Sequence, residues 1–98
     1  MRFFVKTSNY QSNNMLNMCD EDLLGKTLKN GNAQINISQS YYGQRLVDSA
    51  EAQMLLQNCS VLNLVGKNTI QMSVDLKIGS QQGVKTIDGV PFLIVFKM

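Results

Sequence analysis

The stretch DSAEAQMLLQNCSVLNLVG, residues 48–66, decides the fold class. Its opening, Asp48-Ser49-Ala50-Glu51, has the form of a capping box, in which side chains satisfy the first unpaired amides of a helix. The helix should run to about Asn58, with Ala52, Leu55 and Cys59 on its apolar face. Val61 to Val65 then turn β-branched-rich, a short strand that Gly66 closes. A second capping form follows at Asn68-Thr69-Ile70-Gln71. Behind it Ile70, Val74 and Ile78 recur every four residues, the spacing of one helical stripe. Lys77 suits the negative end of that helix, and Gly79 should end it. Beyond a Gln- and Gly-containing loop, Val84 and Ile87 lead to the turn Asp88-Gly89, and Pro91 is acceptable at a strand start. Phe92 to Phe96 are apolar at successive positions, which predicts a central strand covered on both sides.

Towards the N-terminus, Phe3-Phe4-Val5 opens a strand and Met15 to Cys19 should pair back on it as a hairpin. The polar segment between them, Ser8 to Asn14, is expected to project as an exposed loop. Asp20 begins a helical turn carrying Leu23 and Leu24, closed by Gly25. Asn30-Gly31-Asn32 is a turn signal. After it Ala33, Ile35 and Ile37 alternate with Gln34, Asn36 and Ser38, the pattern of a strand with one wet face. Tyr41-Tyr42-Gly43-Gln44-Arg45 reads as a loop. The elements make a single α+β domain over residues 1–98, a mixed β-sheet of about five strands with two main helices packed on it.

Composition bounds the function. The chain has 98 residues, 44% of them apolar, enough for one core that buries roughly 60–65% of the unfolded surface. Only 16% are charged, against about 25% on average, so the polar surface is built from Asn, Gln and Ser. Abundant amides and sparse ion pairs argue against a hyperthermophilic source. Nine Lys and Arg face seven acids, a net charge of +2, and these cations are dispersed with no run longer than one. Charge alone therefore does not predict nucleic-acid binding. The apolar run in Met1-Arg2-Phe3-Phe4-Val5-Lys6 is too short for a signal peptide. Val90 to Phe96 cannot span a bilayer, so no membrane partner is expected and the reading is cytoplasmic. Cys19 and Cys59 are expected as partly buried free thiols.

Cys19-Asp20-Glu21-Asp22 sets a thiol beside three acids. Gly25-Lys26-Thr27 invites comparison with a phosphate loop, but Asp20 stands where that motif requires glycine, and a carboxylate there repels phosphate. A calcium loop starting at Asp20 has Gly25 at its sixth position, yet Leu24 at the fifth and Gly31 at the twelfth. Magnesium on one or two of the carboxylates stays open. More often such acids cap the helical turn that follows them. Cys19 lacks a histidine to activate it, and neighbouring acids raise a thiol pKa. Two cysteines and no histidine cannot complete a zinc site, and hydrolysis by an activated serine lacks its base. No catalytic residue, metal or cofactor is predicted. The binding candidate is Tyr41, Tyr42 and Arg45, tyrosines to stack on unpaired bases and a guanidinium for phosphate. Lys26 and Lys29 would add phosphate contacts if the fold gathers them. One tyrosine is expected to plug the core instead.

Cys19-Asp20-Glu21, Leu23-Leu24-Gly25-Lys26, Tyr42-Gly43, Asn63-Leu64-Val65-Gly66 and Gly89-Val90-Pro91 occur in an order and spacing that resemble a small archaeal family, domain of unknown function 424. The resemblance covers nearly the whole chain, and the cysteine-acid-leucine-glycine block is its most specific part. Relatives often carry a histidine after the proline, where this chain has Phe92, so no histidine-based role carries over. The resemblance implies an archaeal, cytoplasmic, single-domain protein with a link to translation, and assigns no catalytic residue. The first expectation is thus a non-enzymatic RNA- or ribosome-associated accessory protein. A second is a small enzyme or ligand-binding protein with a site at Cys19, Asp20, Glu21, Asp22 and Lys26. A third is an interaction module pairing through the sheet edge of residues 33–38, whose wet face lacks protective lysines.

Overall fold

The computed structural model describes residues 1–97, with Tyr10 described by its backbone. Strands β1 (Arg2–Tyr10) and β2 (Asn13–Asp20) form one long hairpin. The segment predicted as an exposed loop is therefore mostly ladder, with Ser8 opposite Met15 and Tyr10 opposite Asn13. The correction has a local cause. Gln11 and Ser12 take left-handed backbone angles, φ 50° and 71°, and so make a two-residue turn without the glycine or asparagine that usually announces one. The tip of this hairpin is exposed.

After a 3-10 turn at Glu21–Leu23, β3 (Thr27–Asn30) and β4 (Ala33–Asn36) make a small separate sheet. The predicted strand at 33–38 is thus shorter. It also has a partner strand that alternation alone did not reveal, because only Leu28 of β3 is buried. A one-turn helix α1 (Gln39–Tyr42), strand β5 (Arg45–Asp48) and helix α2 (Ser49–Asn58) follow, then β6 (Val61–Val65), α3 (Lys67–Asp75), β7 (Lys85–Ile87) and β8 (Val90–Phe96). The main sheet is mixed, six strands in the order β5-β1-β2-β6-β8-β7. Among the described residues β2 and β6 are its parallel pair.

Helices α2 and α3 cover one face of this sheet. Phe3, Val5, Leu16, Met18, Leu62, Leu64 and Leu93 meet Ala52, Leu56 and Ile70 there. Alternate residues point to the opposite, outer face. Part of that face is covered by the small β3–β4 sheet, where Cys19 and Val65 pack with Leu28, Ile37, Leu23 and Tyr42. The α+β architecture is as the sequence predicts, with two cores on the two sides of one sheet.

Helix α2 starts at its predicted cap, since the Asp48 carboxylate accepts from the Glu51 amide at 2.9 Å. Its C-terminal end is held from afar, because the Lys97 ammonium donates to the Leu56 carbonyl. Helix α3 departs from expectation at both ends. It begins at Lys67, ahead of the predicted cap, and ends at Asp75. Lys77 then takes the left-handed conformation, φ 61°. Its amide donates to Val74 and that of Ile78 to Ser73, at 2.9 and 2.8 Å, the paired bonds of a glycine-type helix stop. An L side chain in this conformation costs about 1–2 kcal/mol. Lys77→Gly is accordingly expected to stabilise the fold by about 1 kcal/mol in urea unfolding. A net loss would show that the Lys77 side chain, and not its backbone, maintains the corner.

β8 is not the fully covered central strand its composition suggests. It pairs with β6 at Phe92–Phe96 but with β7 only at Val90–Phe92, and Ile94 and Phe96 are 61% and 69% exposed.

Candidate functional site

The parallel strands β2 and β6 end side by side, Cys19 opposite Val65. Each then turns, β2 into the 3-10 turn and β6 through Gly66 into α3. A helix start beside such strand ends is a common anion site, because its first amides point outward unpaired. Here the chain supplies its own anion. The buried Asp20 carboxylate accepts from the amides of Asn68 and Thr69, at 3.1 and 2.7 Å, and from the Thr69 hydroxyl at 2.8 Å. No side chain of α3 itself caps that end. Contrary to the expectation that these acids cap the turn that follows them, Asp20 makes no capping bond to it. Gly66 completes the corner with φ 109° and donates its amide to the Pro91 carbonyl at 2.9 Å.

The acidic block is divided between core and surface. Cys19 is fully buried in the outer-face core. Glu21 forms an ion pair with Arg2 at 2.8 Å. Asp22 is exposed and lines, with Asp20, Gly66, Lys67 and Pro91, a cleft of about 270 Å³. Lys26 is exposed, and its carbonyl accepts from Ile37. Of the second candidate site, the cleft thus gathers Asp20 and Asp22 alone. Among the described residues no three His, Cys, Asp or Glu side chains are placed to hold a metal ion.

Burial, with the nearby charges of Asp20 and Asp22, pushes the Cys19 thiol from 9.0 up to about 12. Burial likewise lifts Tyr42 from 10.0 to about 12, although a hydrogen bond with the Asn63 side chain partly offsets it. Both groups are neutral in the fold and ionise more readily unfolded. Their contribution to stability is therefore complete below about pH 9 and is lost as pH climbs toward 12. The urea midpoint should be flat up to about pH 8.5 and fall above it, less steeply in Cys19→Ala. A midpoint unchanged to pH 11 would contradict this account. A thiol so held is protonated and a poor nucleophile at neutral pH.

The tyrosine segment also divides. Ser38 caps α1 through the Tyr41 amide at 3.3 Å. Tyr42 is buried, 6% exposed, and plugs the outer-face core, whereas Tyr41 is 56% exposed. Arg45 lies opposite Val5, whose side is that of the helices, and pairs with Glu51 of α2. The guanidinium and the exposed ring are therefore on different faces of the sheet. Lys29 is exposed on β3, with its amide bonded to the Asp88 carboxylate at 3.0 Å.

Around Tyr41 the structure assembles residues that spacing did not connect. The Lys6 ammonium donates to the Ser40 carbonyl at 2.7 Å, and the Asn17 amide donates to the Tyr41 carbonyl at 3.0 Å. Register puts Lys6, Asn17, Asn63 and Ile94 in one row across four strands, with Ser8, Met15, Val61 and Phe96 in the next. Lys85 extends the surface, opposite Phe92. No carboxylate stands in these rows. Exposed Phe96 and Ile94 were the one available sequence signal, misread as core.

The crystal structure of an uncharacterized conserved protein from Methanopyrus kandleri superposes on this fold with a TM-score of 0.79 at 20% identity, over 100% of this chain and 95% of that one. No curated protein matches the chain. The blocks Cys19-Asp20-Glu21, Asn63-Leu64-Val65-Gly66 and Gly89-Val90-Pro91, distant in sequence, meet at the Asp20 corner, where Cys19, Val65 and Phe92 are register neighbours. A family model described as protein of unknown function (DUF424) matches residues 8–98, and the chain belongs to that family.

Proposed function

We propose that this is a non-enzymatic RNA-binding accessory whose contact surface is the open part of the outer sheet face. The observation that carries the reading is the joint exposure of Tyr41, Phe96 and Ile94 on the face that also carries Lys6 and Lys85, with no acid in the Lys6–Ile94 and Ser8–Phe96 rows. Bases stack on exposed rings whatever their sequence, and dispersed ammonium groups follow a phosphate backbone. The neutral Cys19 and the fully engaged Asp20 give the enzymatic reading less support. Ribosomal RNA in the cytoplasm is the proposed target.

A single-stranded oligonucleotide titrated in fluorescence anisotropy should bind more weakly as salt rises. Tyr41→Ala should weaken it roughly tenfold, since one base stack is worth about 1–3 kcal/mol. Arg45→Ala, on the helical side, should leave it unchanged. Absence of binding, or affinity indifferent to salt and to Tyr41, would remove the reading. Co-sedimentation with ribosomal subunits that high salt reverses would then identify the target.

A second reading, pairing through a sheet edge, is favoured by β8 more than by the strand at 33–38. Alternate residues of an antiparallel strand bond to alternate neighbours. The Gly66–Pro91 and Lys97–Ser60 bonds fix which residues face β6. The backbone groups of Ile94 and Phe96 consequently point to the edge that β7 leaves open. Concentration-dependent sedimentation of the native chain would favour it.

A further inference from the structure

We infer that the groove between the β3–β4 sheet and strands β6, β8 and β7 is a mononucleotide subsite, with the base against its apolar walls and the phosphate on Lys85. The inference rests on the RNA-binding reading and specifies where one nucleotide of the strand is held. The groove measures about 400 Å³, within the range of small-molecule sites. Ile35 of β4 forms one wall, and Ile87, Phe92 and Ile94 of the main sheet form the other. Two apolar surfaces from facing sheets make a slot suited to a flat ring. The bond from the Lys29 amide to the Asp88 carboxylate, 3.0 Å, ties the small sheet to the β7–β8 turn and fixes the slot at one end.

Charge selects the occupant. Lys85 is the one ionic group lining the groove, and it makes no ion pair among the described residues. An apolar slot with a single ammonium at its rim favours a ligand with a planar ring and one anionic group. Among the other clefts, the one at Lys6 and Tyr41 also sets a cation beside a ring, but it is smaller, about 220 Å³, and is lined as well by Ser8, Asn17 and Ser40. The cleft at Asp20 and Asp22 sets two carboxylates against the one ammonium of Lys67, a balance that disfavours phosphate. The cleft lined by Thr7, Asn9, Asn58 and Cys59 has no cation. Asn63 and Ile94, both lining the groove, belong to the same row as Lys6 and Asn17 and so join it to the Tyr41 surface.

The test is a titration of the isotopically labelled full chain with adenosine 5′-monophosphate, followed by amide chemical shifts. Adenosine and inorganic phosphate are titrated separately as controls. Shifts concentrated at residues 83–87 and 92–94, with adenosine and phosphate each weaker than the nucleotide, are expected. Lys85→Glu should weaken the nucleotide by roughly tenfold or more, the loss of one charge-assisted contact. Ile94→Glu, at an exposed position that folding tolerates, should abolish the shifts. Absence of shifts at millimolar nucleotide, or equal shifts with phosphate alone, would overturn the subsite. Oligonucleotide binding that needs Tyr41 but ignores both Lys85→Glu and Ile94→Glu would overturn it and confine the sheet-face reading to the part around Lys6, Tyr41 and Phe96. Groove shifts without oligonucleotide binding would support the subsite and sink the wider reading.

Discussion

Asp20→Ala is expected to cost roughly 3–4 kcal/mol of folding stability, a large fraction of the 5–15 kcal/mol typical of a small domain. The carboxylate is buried and takes three hydrogen bonds, two from backbone amides at the start of α3 and one from the Thr69 hydroxyl. Alanine would leave all three donors without an acceptor, and Thr69 is fully buried, so water replaces the lost partner poorly. The negative charge also opposes the positive end of the helix dipole, an additional favourable term. Asp20→Asn separates the contributions. One amide oxygen can still accept from Thr69, but the amide nitrogen then faces the Asn68 N–H as donor against donor. A loss of about 2 kcal/mol, intermediate between native and alanine, is expected. Urea unfolding monitored by circular dichroism measures both. A loss below 1 kcal/mol in Asp20→Ala would mean that the corner is held by something other than this carboxylate.

How the sequence announced each element depended on how local its cause is. Helix α2 was legible because its cap is four residues long and self-contained, Asp48 to Glu51. The Asp88-Gly89 turn was legible for the same reason, both residues having positive φ, 51° and 79°. Helix α3 was legible in its middle and not at its start, because its cap comes from a residue 49 positions away. The Asn68-Thr69-Ile70-Gln71 form coincided with the true start by nearness only. The Gln11-Ser12 turn was hidden because neither residue favours positive φ. β8 was misplaced because apolarity on two faces has two explanations, burial or an exposed surface with some use, and composition does not separate them.

The candidate site was legible in pieces. Of the two tyrosines that the sequence singles out, Tyr41 is exposed and Tyr42 enters the core, the division expected of them. The partners of Tyr41 were not legible, since Lys6 and Asn17 are paired by strand register and reach the Tyr41 segment through tertiary contacts, while Lys85 joins the same face from β7. Arg45, three residues from Tyr42, proved to be on the far face because a helical turn and a strand start intervene. Closeness in sequence was the wrong guide there. Register was the right one, and it is a tertiary property.

Gly66→Ala should be the most damaging single methyl in the chain. At φ 109° and ψ 154° the backbone occupies a region nearly closed to L side chains, worth about 1–3 kcal/mol of strain. An added Cβ would also come 2.4 Å from the Asp20 carboxyl carbon and 2.6 and 2.7 Å from its oxygens. Either the carboxylate leaves the helix start or the β6–α3 corner opens. Both forfeit the cap, and the combined loss should reach roughly 4–6 kcal/mol. Gly31→Ala is the control. It too has positive φ, 64°, but nothing lies within 4 Å of its Cβ, so a loss of about 1–2 kcal/mol is expected. The decisive comparison is the double variant Asp20→Ala with Gly66→Ala. With the carboxylate already gone, the methyl has room and only backbone strain remains, so the two losses should fall short of additivity by roughly 2–3 kcal/mol. Additivity within about 0.5 kcal/mol would show that the two residues act independently. The glycine would then serve the turn alone, and Asp20 would have to be explained without it.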